Sequence, residues 1–337
     1  MNSIERVFAA VEGKSTDRPA VTLTLSLYGS KLTGCPSEEY YTNPQAFADG
    51  QTAVLEEFHP DILFSPFALA AEGEAFGSQI AYLKNNAPNI SRPVATSVEE
   101  VIKLNIPDID SHPRLQFIRE SVRLLSAKHG DSTPIAGITM SPVDLPAVIM
   151  GIDAWLETLL FDKEGTKRVI EITSQFFVKW ANTLLSDGAN VLVLPCDFSN
   201  PRIVTENILK EIATPVFKET FSEIKGPIII HNGGARIVPF IKHYDMLPNV
   251  AAVLLDSRDS ISKARDEVNP TRLLMGNIDG PNLYRKSPER IHKECEKILT
   301  DRQDDHHFIL ASSSADVAYE TPKENIHAMI RAAKDFK

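Results

Sequence analysis

Cysteine is scarce in this sequence, with three residues in a chain of 337. Cys35, Cys196 and Cys295 are too few and too widely spaced for a disulfide framework. Long apolar runs are also absent, since no stretch approaches the ~18 uninterrupted apolar residues of a membrane-spanning helix. The first residues include Glu5 and no apolar segment, unlike a secretory signal. We therefore expect a cytoplasmic protein that does not enter a membrane.

Basic residues are fewer than acidic ones. The chain has 35 Lys and Arg against 45 Asp and Glu, which gives a net charge of −10. This excess of negative charge argues against nucleic acid and anionic membrane surfaces as partners, because both attract basic surfaces. The remaining composition, 43% hydrophobic and 24% charged, is ordinary for a globular protein. We expect one domain over residues 1–337.

Short apolar runs alternate with longer amphipathic stretches along the chain. Eight runs rich in Val, Ile, Leu and Ala are predicted as strands, at Val21–Leu27, Asp61–Pro66, Pro134–Met140, Val191–Pro195, Pro227–His231, Ala251–Leu255, Arg272–Gly276 and His307–Ala311. Most of them are continuous rather than alternating, which is typical of strands buried on both faces of a parallel sheet. The main amphipathic stretches are predicted as helices, at Lys167–Leu185, Thr205–Ile224, Ser260–Val268, Pro288–Leu299 and Pro322–Lys337.

Eight alternating β/α units are typical of a (β/α)₈ TIM barrel. The alternative is a doubly wound open sheet, which normally carries a glycine-rich phosphate loop after its first strand. The segment Leu27–Ser30 at that position has a single glycine, so the barrel is favoured. The stretch Phe67–Thr133 is longer than a usual connection. It is predicted to be an insertion at the barrel top between the second and third strands, with one helix at Leu115–Lys128.

Chemistry in such a barrel collects at the carboxyl ends of the strands. The residues expected there to be catalytic are His231, Asp197 and Asp256. Those expected to bind substrate are Glu72, Glu74, Asn277, Asp279, Ser314 and Asp316. Glu72 and Glu74 are separated by one residue and would point the same way in an extended segment.

His231 and Cys196 are the candidate metal ligands. Zinc accepts nitrogen and sulfur ligands, and a catalytic zinc keeps one position open. Gly233 and Gly234 follow the histidine and would let a ligand come close to its ring. Both candidates also have an ordinary structural interpretation, as a hydrogen-bonded histidine and as a small buried thiol.

Several motifs resemble the uroporphyrinogen decarboxylase superfamily, and within it the methylcobamide:coenzyme M methyltransferase-like branch. The matching segments span nearly the whole chain, at Asp17–Pro19, Ala71–Gly77, Gly226–His231, Met275–Asp279, Phe308–Ala311 and Glu320–Ile326. The resemblance implies a (β/α)₈ barrel that transfers a methyl group between a methylcobamide, free or on a corrinoid protein, and a small acceptor such as a thiol. It also implies a zinc that binds the acceptor thiol as a thiolate, because a dication lowers a thiol pKa from its usual ~8.5.

The sequence departs from the metal motif of that branch. The His-x-Cys-Gly motif after the fifth strand reads His231–Gly234, with glycine in place of cysteine. Ser314 or Ala315 replaces the second cysteine, after the eighth strand. Either the metal is held by a rebuilt set that recruits Cys196 and neighbouring aspartates, or the reaction does not use zinc.

The decarboxylase branch of the superfamily is disfavoured. Its key aspartate falls at Pro66, and its arginine-rich segment after the first strand contains no arginine here. Three hypotheses remain, of which a corrinoid-dependent methyltransferase with an altered zinc site leads. The others are a non-catalytic corrinoid- or tetrapyrrole-binding subunit, and a metal-free enzyme with Asp197 or Asp256 as general base.

Overall fold

Eight parallel strands form one sheet in the computed structural model, which describes residues 1–336. Strands β1 to β8 are Val21–Thr22, Leu63–Phe64, Ile135–Ile138, Val191–Pro195, Ile228–His231, Val250–Leu254, Leu273–Asp279 and Phe308–Ser313. Their order in the sheet is β1-β8-β7-β6-β5-β4-β3-β2, and every ladder is parallel. The predicted (β/α)₈ barrel is therefore confirmed.

The ring closes between β1 and β2 through a buried carboxylate rather than a ladder. The Asp61 N–H donates to the Val21 carbonyl at 2.8 Å, and the Val21 N–H donates to the Asp61 carboxylate at 2.8 Å. Arg6 and Arg18 donate to the same carboxylate at 2.7 and 2.8 Å. The Asp61 side chain is 0% exposed. Because Asp61 immediately precedes β2, this cluster lies at the amino ends of the strands, opposite the predicted site.

Helices and helical turns connect the strands. The α-helices are Ser3–Val11, Tyr28–Thr33, Ser37–Tyr40, Pro44–Phe58, Ala70–Ala75, Val98–Val101, Pro113–His129, Pro146–Met150, Ile152–Phe161, Lys163–Ser186, Glu206–Ile208, Thr214–Ser222, Ile241–Asp245, Ile261–Glu267, Pro288–Asp301 and Lys323–Asp335. Two 3₁₀ turns occur at Val238–Phe240 and Leu283–Arg285. Lys337, the last residue of the final predicted helix, lies outside the described residues. Within residues 1–336, no helix is both long and apolar enough to span a bilayer.

Alternation along the strands separates two apolar layers. Ile229 of β5 belongs to the cluster inside the barrel, whereas Ile228 and Ile230 belong to the larger cluster that includes helix residues. In β4, Val193 lies inside and Leu194 faces the larger cluster. Successive strand residues point to opposite faces, so this parity decides which side chains reach the barrel mouth.

Two predicted elements differ from the structure in their extent. The first strand was expected over Val21–Leu27 but ends at Thr22, because side chains rather than a ladder bind the backbone beyond it. The Thr24 N–H donates to the Ser312 hydroxyl at 2.9 Å. The predicted helix Thr205–Ile224 contains a π-helical turn at Leu209–Ala213, just before Pro215. Proline has no N–H to continue the α-helical pattern.

The long connection between β2 and β3 contains structure of its own. It includes helix Ala70–Ala75 and an antiparallel hairpin of Gln79–Ala81 with Asn89–Arg92. The predicted helix Leu115–Lys128 lies within the observed helix Pro113–His129. The hairpin brings its loop to the barrel mouth, where it lines a cavity.

Asp61→Ala should lower the free energy of unfolding by about 3–5 kcal/mol, because it leaves the buried Arg6 and the half-buried Arg18 without their shared carboxylate. Asp17→Ala is the matched control, since Asp17 also pairs with Arg6 but is 43% exposed, and we expect a loss of about 1 kcal/mol. Urea unfolding followed by circular dichroism measures both values. Equal losses in the two variants would contradict the role of Asp61 in closing the barrel.

Candidate functional site

Two adjoining cavities lie at the carboxyl ends of the strands. The first, of about 640 Å³, is lined by residues that include Asp197, His231, Asp256, Arg258 and Asp279, and we call it the histidine cavity. The second, of about 980 Å³, is lined by residues that include Leu83, Asn85–Ser91, Met140, Phe198 and Asp316, and we call it the hairpin cavity. Phe67, Leu69, Asp197, Pro281 and Ala315 line both. The two cavities therefore meet at the barrel mouth.

His231 lies at the end of β5 and is 2% exposed. Its Nδ1 accepts a hydrogen bond from the Gly233 N–H at 3.1 Å, and its buried Nε2 has no hydrogen-bond partner among residues 1–336. Burial lowers the pKa of His231 to about 4. The ring is therefore neutral near pH 7 and contributes to the lining of the histidine cavity.

The turn after His231 is tied to the ends of two other strands. The Asn232 amide donates to Asp256 after β6 at 3.1 Å and accepts from the Ser314 N–H after β8 at 3.2 Å. Asn232 was not among the predicted site residues. Its position directly after His231, in the turn that follows a strand end, could have identified it. These bonds fix the position of the histidine ring relative to the rim.

Asp256 forms an ion pair with Arg258, another residue that was not predicted. The Arg258 Nε donates to the Asp256 carboxylate at 2.5 Å, and its Nη2 donates to the Gly234 carbonyl at 3.0 Å. Burial of Asp256 raises the carboxyl pKa, but the hydrogen bonds and charge of Arg258 outweigh it, so the pKa is lowered. The Arg258 side chain is 56% exposed and brings a positive charge to the histidine cavity.

Asp197 lies where the two cavities join. Its loop is held by the buried Asp144, which accepts from the N–H groups of Phe198 at 2.7 Å and Ser199 at 2.9 Å. Burial, together with the negative charge of Asp144, raises the pKa of Asp197 to about 7. Sequence analysis missed Asp144, which lies in a loop beyond the third strand and does not line either cavity.

Asp316 lines the hairpin cavity. One carboxyl oxygen accepts from the Leu27 N–H at 3.3 Å, and the other is buried without a hydrogen-bond partner among the described residues. Burial raises the pKa of Asp316 to about 7. This carboxyl group is therefore predisposed to carry a proton or to meet a ligand.

The remaining predicted rim residues differ in their position. Asp279 and Ser314 line the histidine cavity, and the Ser314 hydroxyl donates to Asp256 at 3.3 Å. Asn277 is buried and does not line either cavity. Its amide donates to the carbonyls of Asp256 and Asp259 at 2.8 and 3.0 Å, so it holds the β6 loop in place.

Glu72 and Glu74 do not point the same way, and that expectation is wrong. They lie in a helix, where residues two apart are about 200° apart around the axis. Glu72 is buried and accepts from the Trp180 indole at 3.2 Å, and its burial raises its pKa to about 8. Glu74 pairs with Arg114 on the opposite side. Neither glutamate lines the two cavities.

Cys196 and His231 do not come together as a ligand pair. Cys196 has the parity of Leu194 and packs in the layer between sheet and helices, beside the Tyr244 hydroxyl. Burial raises the pKa of its thiol well above the ordinary value. Within residues 1–336, no group of three or more His, Cys, Asp and Glu side chains is arranged to hold a metal ion.

The position that the resemblance assigns to a zinc-binding cysteine has no room for a side chain. Gly233 has a φ of +56°, and a Cβ atom there would lie 2.3 Å from the Cys196 carbonyl oxygen. The backbone of Cys196 and Asp197, directly after β4, therefore occupies the space that a cysteine would need. The residues present do not fit the zinc site that the resemblance implies.

Comparison with known proteins agrees with the barrel fold. The sequence model described as uroporphyrinogen decarboxylase (URO-D) matches residues 2–336. This match covers nearly all of the described chain, and the chain belongs to the URO-D family.

Relatives and structural neighbours include both methyltransferases and decarboxylases. The chain is 26% identical over 343 residues to methylcobamide:CoM methyltransferase MtbA from Methanosarcina acetivorans, which covers 99% of this chain and 98% of the relative. It is 23% identical to a uroporphyrinogen decarboxylase from Albidiferax ferrireducens, over 83% of this chain and 79% of that one. A methyltransferase structure from Methanosarcina mazei superposes with a TM-score of 0.87 at 19% identity and covers 99% of both chains, which shows a common fold.

Gly233→Ala and Gly234→Ala form a matched pair, because both glycines have positive φ but nothing lies within 4 Å of a Cβ at 234. We expect Gly234→Ala to lower the free energy of unfolding by about 1 kcal/mol through backbone strain alone. Gly233→Ala should cost about 3 kcal/mol, because the new methyl group also meets the Cys196 carbonyl. Chemical denaturation measures both, and equal costs would contradict the close approach of the Cys196 backbone to Gly233.

Asp316→Asn should stabilise the protein more at pH 8 than at pH 5. A carboxyl whose pKa rises from 3.8 to about 7 on folding costs stability as the pH increases between those values, because the folded state must then ionise a buried group. The amide avoids this cost, and we expect the gain to be about 3 kcal/mol larger at pH 8 than at pH 5, because each of the two pH units below a pKa of about 7 contributes about 1.4 kcal/mol. Thermal unfolding at both pH values measures the difference. A gain independent of pH would contradict the raised pKa.

Proposed function

We propose that this chain transfers a methyl group from a methylcobamide, free or on a corrinoid protein, to a small acceptor such as a thiol. The observation that supports it most is the match to methylcobamide:CoM methyltransferase MtbA, which spans 99% of this chain and 98% of the relative. The adjoining cavities give the match a physical basis, since group transfer requires donor and acceptor to be held in contact.

The hairpin cavity is the proposed donor side. It is the larger of the two and is lined by apolar side chains such as Leu83 together with the amides of Asn85, Asn86 and Asn89. Apolar surface suits the face of a corrin ring, and side-chain amides suit its amide substituents. The donor supplies an electrophilic methyl group bound to cobalt. Phe67 and Asp197, which line both cavities, mark where that methyl group would meet the acceptor.

The histidine cavity is the proposed acceptor side. Arg258, fixed by Asp256, offers positive charge to an anionic part of the acceptor. Asp197 lies at the junction, where its carboxylate is placed to accept the proton that a thiol loses as its sulfur takes the methyl group. Asp279 and Ser314 complete the polar wall.

Porphyrinogen decarboxylation fits this mouth poorly. Arg258 is the one arginine or lysine that lines the two cavities, among the residues that the structure describes. The acidic side chains that line them are Asp153, Asp197, Asp256, Asp279, Asp316 and Glu320. A substrate with several carboxylates would meet net negative charge there. The structure therefore favours a methyl donor and acceptor over a porphyrinogen substrate.

Removal of the His231 ring should reduce methyl transfer at least about tenfold, because the ring forms the wall of the acceptor cavity. The test follows cobalt–carbon cleavage in methylcobalamin by absorbance, anaerobically, with a panel of thiols and folates. His306→Ala is the matched control, since His306 is exposed beyond the amino end of β8.

Wild-type protein and His306→Ala are expected to be active, and His231→Ala inactive with an unchanged circular dichroism spectrum. Full activity of His231→Ala would remove the ring from the mechanism. Tight cobalamin binding without turnover on any acceptor would overturn the enzymatic proposal in favour of a binding subunit.

A further inference from the structure

We propose that His231 donates a hydrogen bond through its Nε2–H to a lone pair of the bound substrate, and that it does not hold a metal in this chain. The role rests on the proposed function only in that the histidine cavity is taken as a substrate cavity. It replaces the zinc-ligand role that the family resemblance implies.

The hydrogen bond to Nδ1 determines where the ring carries its proton. Gly233 N–H is a donor and lies 3.1 Å from Nδ1, so Nδ1 must be the acceptor. A neutral imidazole has one N–H, which is then on Nε2. Histidines that bind metals have the opposite arrangement, because their second ring nitrogen donates to a carbonyl or carboxylate. Nε2 of His231 therefore has no lone pair for a metal.

The surrounding bonds hold the ring in this orientation. Asn232 is tied to Asp256 and to the Ser314 backbone, and Gly233 is packed against Cys196. Turning the ring over would place a carbon atom beside the Gly233 N–H and leave that donor unpaired, which is unfavourable for a buried group. The hydrogen bond from the Gly233 N–H thus keeps the proton of the neutral ring on Nε2.

The neighbouring side chains offer no alternative ligand set. Cys196 faces away from the mouth, and Asp256 is engaged by Arg258, Asn232 and Ser314. In the part of the chain that the structure describes, no cluster of three potential ligands is present. The turn at Gly233 has both effects. Its packing against the Cys196 carbonyl excludes a cysteine, and its N–H orients the histidine ring.

The Nε2–H group has no hydrogen-bond acceptor among the described residues, and a bound substrate would provide one. Nε2 is buried, has no hydrogen bond among residues 1–336, and belongs to a ring that lines the histidine cavity. Buried donors without partners are rare, and a ligand lone pair placed there would remove the penalty. Arg258 lines the same cavity, so an acceptor with negative charge on oxygen or sulfur suits both groups.

The test observes the ring directly in the full-length protein. Two-bond ¹H–¹⁵N correlation spectra of histidine-labelled protein report the tautomer, and the spectrum of His231→Gln identifies the His231 signals. We expect a neutral ring protonated on Nε2, with no change when Zn²⁺ is added. Protein grown with zinc should contain no more of the metal by mass spectrometry than His231→Gln does. An Nδ1–H ring, a shift of its signals with Zn²⁺, or stoichiometric zinc that His231→Gln loses would overturn the proposal.

The outcome is separable from that of the methyl-transfer assay. A metal-free Nε2–H ring in a protein that transfers no methyl group would leave this role standing and overturn the proposed function. Zinc bound through His231 in an active enzyme would do the reverse. If His231→Gln fails to fold, His231→Asn replaces it, both to identify the His231 signals and as the zinc control.

Discussion

The mouth of this barrel depends on one buried carboxylate at its opposite end. Asp61 joins β1 to β2 by backbone bonds and binds Arg6 and Arg18, where no ladder connects the two strands. Ladders already join β4 through β8, and closure of the ring curves this sheet so that their carboxyl ends surround one mouth. A buried carboxylate that binds two guanidinium groups and a backbone N–H is costly to separate from them. These contacts therefore keep the barrel closed between β1 and β2. Asp197, His231 and Asp256 follow neighbouring paired strands, and closure at the far end of the molecule shapes the mouth that they share with the end of β8.

Much of the fold could be predicted because buried parallel strands have a plain sequence pattern. The continuous apolar run Val191–Pro195 coincides with β4, and the other seven predicted strands overlap observed ones. Strand ends were less predictable, since they depend on partners remote in sequence. The first strand stops at Thr22 because Ser312 and Asp316 bind the backbone that follows. Strand-end position alone correctly placed His231, Asp197, Asp256 and Asp279 at the mouth.

The remaining site predictions depended on the direction in which each side chain points, which the spacing of residues in the sequence does not reveal. Glu72 and Glu74 diverge because their segment is helical rather than extended. The parity of β4 could have shown that Cys196 faces the helices, since Val193 and Asp197 share the opposite face. Arg258 and Asn232 were missed because their roles arise from pairing across loops, with Asp256 as the common partner. The charged side chains at this mouth are predominantly acidic, and a neutral imidazole lines its histidine cavity.

Methyl transfer from a methylcobamide to a small acceptor is the activity proposed for the two adjoining cavities. It can be tested most directly with methylcobalamin labelled as CD₃, incubated anaerobically with the purified protein and a pool of thiols and folates, and analysed by mass spectrometry. We expect the CD₃ group to appear on one acceptor, only when the protein is present and at a rate proportional to its concentration. Complete recovery of the labelled donor, with no labelled acceptor from any member of the pool, would contradict the claim.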